Sequence, residues 1–461
     1  MDLQKLVLNY KDDVVKAIQE SVRIKSVQEA PLPGMPFGEG PAKALEYFLD
    51  LGKKLGFEVE NFDNYAGHID FGTGEETVGI LGHVDVVPEG DGWEFPPYSG
   101  TIANGKIFGR GVLDDKGPSI VCLYAMKALK DSGIKLNRKI RMILGANEES
   151  GWGCMKHYFG ELKMPQPTYA FTPDSGFPVT FAEKGILHIT LTKKYDKDLD
   201  FQIVGGTAFN SVPDLTTAIL PLSMKNKIEE NLCEFNKDKT YKITLTEENG
   251  KIKLTSQGKA SHGARPSEGY NSISALFKFL SSVTLEDNQL KNIVDFFKKY
   301  VKMDYEGKEL GVNFTDEPSG SLTLNVGKVE IKGNELMVGF DIRYPVTYAQ
   351  DDVLEKIRPK AEEFGLTVGI RSSQKPLYVP KDSFLVETLM KVYGDVTGDR
   401  ESQPIAIGGG TYARAVTNGV AFGALLNDQE DNMHQRNEYL EIDKIDTWLK
   451  IYIEAIYQLA K

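Results

Sequence analysis

Apolar runs alternating with amphipathic stretches lay out the first 180 or so residues. From about Leu3 to Val22 apolar positions recur at helical spacing. A Pro/Gly-rich loop, Ala30 to Pro41, then leads into a second such stretch, Ala42 to Leu55, which Gly56 stops. The segments beginning at Phe57 and at Gly67 alternate as strands do. Val78 to Leu81 is instead a continuous apolar run ending at His83, as expected for a strand covered on both faces. Ile102 to Phe108 reads as a hairpin turning at Asn104-Gly105, Lys116 to Leu129 as a helix, and Lys139 to Leu144 and Pro167 to Phe171 as further strands. Strands alternating with helices, each delivering a polar residue at its C-terminal end, predict an α/β sheet with a site along that edge.

Near Ala182 the pattern changes. Ile186 to Thr192 alternates strictly, Tyr241 to Thr246 and Lys251 to Ser256 form a hairpin around Asn249-Gly250, and Ser321 to Val329 and Glu335 to Asp341 add two strands. With a helix from Asp351 to Phe364, this is an antiparallel α+β unit whose strands expose one face. Beyond Pro380 the earlier pattern returns: a helix, a Gly-rich loop, an apolar strand (Val420 to Leu426) and a closing helix, Lys444 to Leu459. The expected architecture is an α/β domain with a mixed, largely parallel sheet flanked by helices, formed by residues 1–183 and 382–461. An α+β domain, residues 184–381, is inserted into it, long enough for two α+β halves and joined through two strands that could act as a hinge.

At 461 residues the chain exceeds one ordinary core, in keeping with two domains. A net charge of −12 with no Lys/Arg block argues against nucleic acid or an anionic membrane as the main partner. No run approaches the ~20 apolar residues that span a bilayer, and the N-terminus is charged throughout, without a signal-peptide pattern. Cys122, Cys154 and Cys233 are scattered and odd in number, as buried thiols of a reducing compartment would be. The expected location is the cytoplasm.

Five short segments carry chemistry. His83 ends the buried strand and Asp85 follows it; Asp114-Asp115 precedes a helix; Glu148-Glu149 follows a strand, as does Asp174; His434 lies in Asp431-Asn-Met-His-Gln-Arg-Asn-Glu438. Each has an ordinary explanation as a cap, a turn or solvated surface. Together they bring His83, Asp114, Glu149, Asp174 and His434 to one sheet edge, a nitrogen and oxygen set for two divalent ions such as zinc, manganese or cobalt. Such a pair holds a water as hydroxide and polarises a carbonyl, with Glu148 the spare carboxylate for general-base work.

In that order the segments resemble the co-catalytic metallopeptidase family of aminoacylases, carboxypeptidases and dipeptidases, essentially end to end. The Asp-Asp-Lys-Gly-Pro form and the long insert are most similar to the bacterial PepV-type dipeptidases. The resemblance implies that Asp114 bridges two metal ions, zinc or manganese, with His83 and Asp174 on one and Glu149 and His434 on the other. It further implies that Asp85 supports His83, that Glu148 shuttles the proton, and that the Asp114–Asp115 peptide is cis. In the insert, now identified as a lid, His262 matches the residue that steadies the oxyanion and Arg343 the one that grips a substrate carboxylate, while Asn210 and Gly408, Gly409 and Gly410 resemble substrate-lining positions. His68, His157 and His188 match nothing functional. The implied activity is hydrolysis of unblocked dipeptides by metal-bound hydroxide. The alternatives are an N-acyl amino acid deacylase or carboxypeptidase of the same family, or a metal-poor binding protein on the same fold. Relatives with a short lid dimerise through it, so the long insert implies a monomer.

Overall fold

The computed structural model describes residues 10–238, 240, 242–286 and 288–461. The start of the helix expected from Leu3, and Tyr241 at the head of an expected strand, lie outside them. The chain forms two compact units. One comprises the residues up to Phe181, Tyr378–Ile405 and Gly410–Lys461; the other comprises Ala182–Leu377 and Ala406–Gly409.

The first unit is built on α1 (Lys11–Val22), α2 (Glu39–Lys54), β1 (Glu58–Phe62), β2 (Ala66–Phe71), β3 (Thr77–His83), the hairpin β4 (Thr101–Ala103) and β5 (Lys106–Phe108), α3 (Lys116–Asp131), β6 (Lys139–Gly145) and β7 (Tyr169–Thr172). Its main sheet runs β1-β2-β6-β3-β7, followed by the strands Gly419–Ala421, Thr180–Glu183 and Leu377–Tyr378. The centre is parallel: β6 with β3, β3 with β7, and β7 with Gly419–Ala421. At the sides, β1 pairs with β2 and β2 with β6 in antiparallel fashion. Strand β3 sits mid-sheet, and every residue from Val78 to His83 is buried, as its continuous apolar run requires. Helix α3, with 13 of its 16 residues buried, has no solvated face. It closes tightly onto the end of β3: a Cβ at Gly82 would stand 2.0 Å from Ser119 Oγ, so only glycine admits the first turn of α3 there. The strand expected over Val420–Leu426 is two short ones, because Gly423 at φ +83° turns the chain out of the main sheet. Ala424–Leu425 then pairs with Ser175–Gly176.

The second unit carries one antiparallel sheet of eight strands. In order these are Lys242–Glu248, Lys251–Gln257, Leu215–Pro221, Gln202–Gly205, Thr323–Lys332, Glu335–Tyr344, Gly185–Lys194 and Thr367–Gln374. Two groups of four meet where Ile203 faces Ile331. The helix Ser272–Leu280 packs on the first group and Gln350–Glu362 on the second. Strict alternation in Gly185–Lys194 turns Leu187, Ile189 and Leu191 into the core. Helix Ser272–Leu280 has eight of nine residues buried. Residues 406–409 also group with this unit: Lys184 N donates to Ile407 O at 3.0 Å, and Ala264 packs against Gly408. The chain therefore passes between units four times, where two connecting strands were expected. Among the described residues no helix is long and apolar enough to cross a membrane.

Candidate active site

In the first unit the C-terminal ends of β3, β6 and β7 and the start of α3 deliver the expected residues to one place. His83 closes β3 and is fully buried. Its Nδ1 faces the Asp85 carbonyl oxygen at 3.0 Å and the Asp85 carboxylate at 3.6 Å. A proton held on Nδ1 by that carbonyl leaves the Nε2 lone pair free as a ligand. The Asp85 carboxylate makes its shorter contacts elsewhere, accepting the backbone N–H of Glu148 at 2.9 Å and of Glu149 at 3.1 Å. It thus ties the turn after β6 to the end of β3. His83 Nε2 lies 3.0 Å from Asp114 Oδ1 and 3.8 Å from Asp174 Oδ2. His434 Nε2 lies 2.8 Å from Asp114 Oδ2 and 3.1 Å from Glu149 Oε1. One carboxylate therefore stands between two imidazoles, as a bridging ligand would. The Asp114–Asp115 peptide is cis. Asp115 turns inward, where Oδ2 accepts from His83 N and Ser119 Oγ and couples β3 to α3.

Among the described residues, atoms of His83, Asp114 and Glu149 lie within 4.8 Å of one another, as do those of His83, Glu148 and Asp174. Glu148 is thus close enough to be a ligand itself. What sets it apart is a second partner: Trp152 Nε1 donates to its Oε1 at 3.1 Å. Trp152 holds a left-handed conformation, φ +62°, in a turn where its N–H bonds Asn147 O and Asn147 Oδ1 accepts from Gly153 N.

The electrostatics follow from crowding. Burial raises the Glu148 carboxyl well above the usual range, and the charges of Asp174, Glu149 and Asp85 add to this against the pull of His83. Burial and Asp114 push Asp174 up to about 7, and burial and Asp114 likewise raise Glu149. Burial opposes ionisation of Asp114 too, but hydrogen bonds from His434 and His83 outweigh it and hold the carboxyl far below normal. The same contacts, with Asp114 first and Glu149 second, raise His434 to about 11. Buried carboxylates outnumber the imidazoles here, and that surplus of negative charge is what divalent ions would neutralise.

In the second unit the expected substrate residues converge on Asp341. Arg343 lies on the strand Glu335–Tyr344, buried, and grips Asp341 with two bonds, Nε to Oδ1 at 2.7 Å and Nη2 to Oδ2 at 2.9 Å. Its Nη1 donates to Gly408 O at 3.0 Å. The His262 loop passes over the same carboxylate, since a Cβ at Gly263 would stand 2.4 Å from Asp341 Oδ2. Gly263 N in turn donates to Asn210 O at 2.7 Å. His262 Nδ1 accepts the Ala264 N–H at 3.2 Å, so Nε2 carries the proton and points a donor outward. Burial and the neighbouring Arg343 lower the His262 pKa, against the pull of Asp341. His188, matched to nothing functional, sets its Nε2 3.3 Å from Asp341. Gly408 and Gly409 belong to this unit and Gly410 to the first. Sequence reasoning left unassigned Arg110, Trp152, Asp341 and Glu438; each sits in or beside a quoted motif, but no local pattern marks a buried polar partner.

Residues 79–458 match the model of peptidase family M20/M25/M40. A Bacillus subtilis relative named "Putative dipeptidase YtjP" is 40% identical over 466 residues, 99% of each chain. A Staphylococcus epidermidis relative, also dipeptidase by name, is 36% identical over 464 residues, 98% of each chain. Among solved structures, human carnosine dipeptidase 1 superposes with a TM-score of 0.59 at 16% identity, covering 99% of this chain and 98% of its own. A metallo-carboxypeptidase from Sulfolobus solfataricus gives 0.58 at 18% identity, covering 97% and 99%. At those identities the structural likeness speaks for the fold.

Proposed function

The chain belongs to peptidase family M20/M25/M40 and is a metal-dependent hydrolase, and from that premise we propose that it is a two-metal dipeptidase acting on unblocked dipeptides. One observation carries the reading: Asp114 stands between His83 and His434, with Asp174 and Glu149 flanking the two imidazoles. This donor set fits two ions, His83 and Asp174 holding one, Glu149 and His434 the other, and Asp114 shared. Imidazole nitrogen with carboxylate oxygen suits zinc or manganese. Bound there, the ions supply Lewis-acid polarisation of the scissile carbonyl and a reactive water at neutral pH.

The chain's own groups do the rest. Glu148, its Oε1 fixed by the Trp152 indole, takes the proton of the attacking water and returns it to the departing amine. His262 offers a neutral Nε2–H to the oxygen that becomes negative in the tetrahedral state. Arg343 has five N–H groups, three of them engaged by Asp341 and Gly408, which leaves two to grip the substrate's C-terminal carboxylate. Asn210 and the Gly408–Gly410 turn flank that end. The free amine favours the acidic cluster, where an N-acyl cap would cancel its charge. The enzyme acts as a monomer in the cytoplasm; of the cysteines expected to be buried, Cys122 and Cys154 are, while Cys233 is exposed.

The test is Glu148→Gln. It should leave both ions bound and lower turnover of an unblocked dipeptide by ~100-fold or more, whereas Glu149→Gln should lose metal. Metal lost from the first variant and kept by the second would mean that the two glutamates have exchanged roles.

A further inference from the structure

Asp114 and His434 are 320 positions apart in the chain (434 − 114), yet one buried ion pair holds both. Glu438 Oε1 accepts three backbone N–H groups of the loop that ends at Asp114: Gly111 at 3.1 Å, Leu113 at 2.9 Å and Asp114 itself at 3.3 Å. Its Oε2 receives Arg110 Nη1 at 2.6 Å. Arg110 Nη2 then reaches the His434 carbonyl at 3.2 Å and those of Pro88 and Glu89 at 3.4 Å. The exposures are 2% for Arg110 and 0% for Glu438, so the pair is fully desolvated. The attraction of such a pair does little more than repay its desolvation, which makes stability a poor explanation for its presence. Its geometry is the better one. His434 stands at φ +62°, a conformation that a non-glycine residue holds only where its surroundings impose it, and Arg110 grips that residue's carbonyl.

We propose that the Arg110–Glu438 pair is a positioning bracket that sets the Asp114 loop and the His434 turn against each other, so that His434 Nε2 meets Asp114 Oδ2 and Glu149 Oε1. His83 and Asp174 do not depend on it, because β3 fixes one and the end of β7 carries the other. The bracket therefore governs the ion at Asp114, Glu149 and His434 more than the other, which also uses Asp114 but takes its remaining ligands, His83 and Asp174, from β3 and the end of β7. This inference rests on the two-ion reading above.

The experiment is a calorimetric titration of metal-free full-length protein with zinc, comparing wild type, Glu438→Gln and Arg110→Lys. Glutamine keeps an acceptor for the loop N–H groups but breaks the ion pair. Lysine keeps the buried charge but cannot span both Glu438 and the His434 carbonyl. Wild type should take up two ions. Each variant should bind one ion 10–100-fold more weakly, in the range that loss of a ligand's supporting contact produces, and the other with a distinctly smaller loss. Dipeptide turnover by the variants should climb towards wild type as zinc is raised, a rescue that general loosening of the fold would not give. Two wild-type affinities in both variants overturn the bracket while sparing the two-ion reading. Equal weakening of both sites, or no rescue at saturating zinc, also overturns it. A wild-type isotherm with a single ion overturns the two-ion reading and the bracket together. If Glu438→Gln does not fold, Arg110→Lys decides alone.

Discussion

Arg343 shows how a residue's surroundings define its task. An arginine whose donors were all free would bind any anion in several poses. Here Asp341 takes two donors and Gly408 O a third, so the guanidinium is held in one orientation with two N–H groups left over. Replacing Arg343 by Ala should therefore raise KM and lower kcat/KM for a dipeptide by roughly 100-fold, within the ~2–5 kcal/mol that loss of one partner of a buried charge pair costs. The corresponding dipeptide amide lacks the carboxylate and should lose far less. The amide also corrects for whatever the unpaired Asp341 does to the fold, since both substrates meet the same altered protein. Equal losses, measured as steady-state kcat/KM for the two substrates, would remove Arg343 from carboxylate recognition. The placement of His83 and of Glu148-Glu149 at strand ends was legible in the sequence because an apolar run that stops there fixes where the polar group must emerge. Glu438, Arg110, Trp152 and Asp341 were not legible in this way. Their roles come from contacts to atoms close in space, for the first two across more than 320 positions, and a buried acid looks like a surface acid in a sequence.

Among the elements, β3 and α3 were the plainest to read, one uniformly apolar and the other buried nearly all round. Helix Ser272–Leu280, nine residues long and short for a helix, was not foreseen. The strands of the insert also bear on assembly. Its eight strands form two groups of four, joined edge to edge at Gln202–Gly205 and Thr323–Lys332, so one chain already supplies a double-length sheet. The outer strands, Lys242–Glu248 and Thr367–Gln374, present mainly charged and polar side chains to solvent, a pattern that discourages further strand pairing. Light scattering should accordingly give the mass of one chain, 51.2 kDa. Mixing His262→Ala with Glu148→Gln chains should restore no activity, because each chain would use its own His262. A stable dimer mass with recovered turnover would show that copies share a site.

For the whole molecule, each of the two units carries its own set of polar groups. The first holds the acidic cluster with Glu148, while the second holds His262 and the Arg343–Asp341 pair. The measurement that tests this account most directly pairs metal content with substrate choice on the same preparation. The purified protein should carry two divalent ions per chain. It should cleave an unblocked dipeptide with a kcat/KM well above that for an N-acetyl amino acid, and both activities should vanish on chelation and return with zinc or manganese. Faster cleavage of the N-acetyl amino acid would make it a deacylase of the same family, and turnover that survives complete removal of metal would contradict the account at its centre.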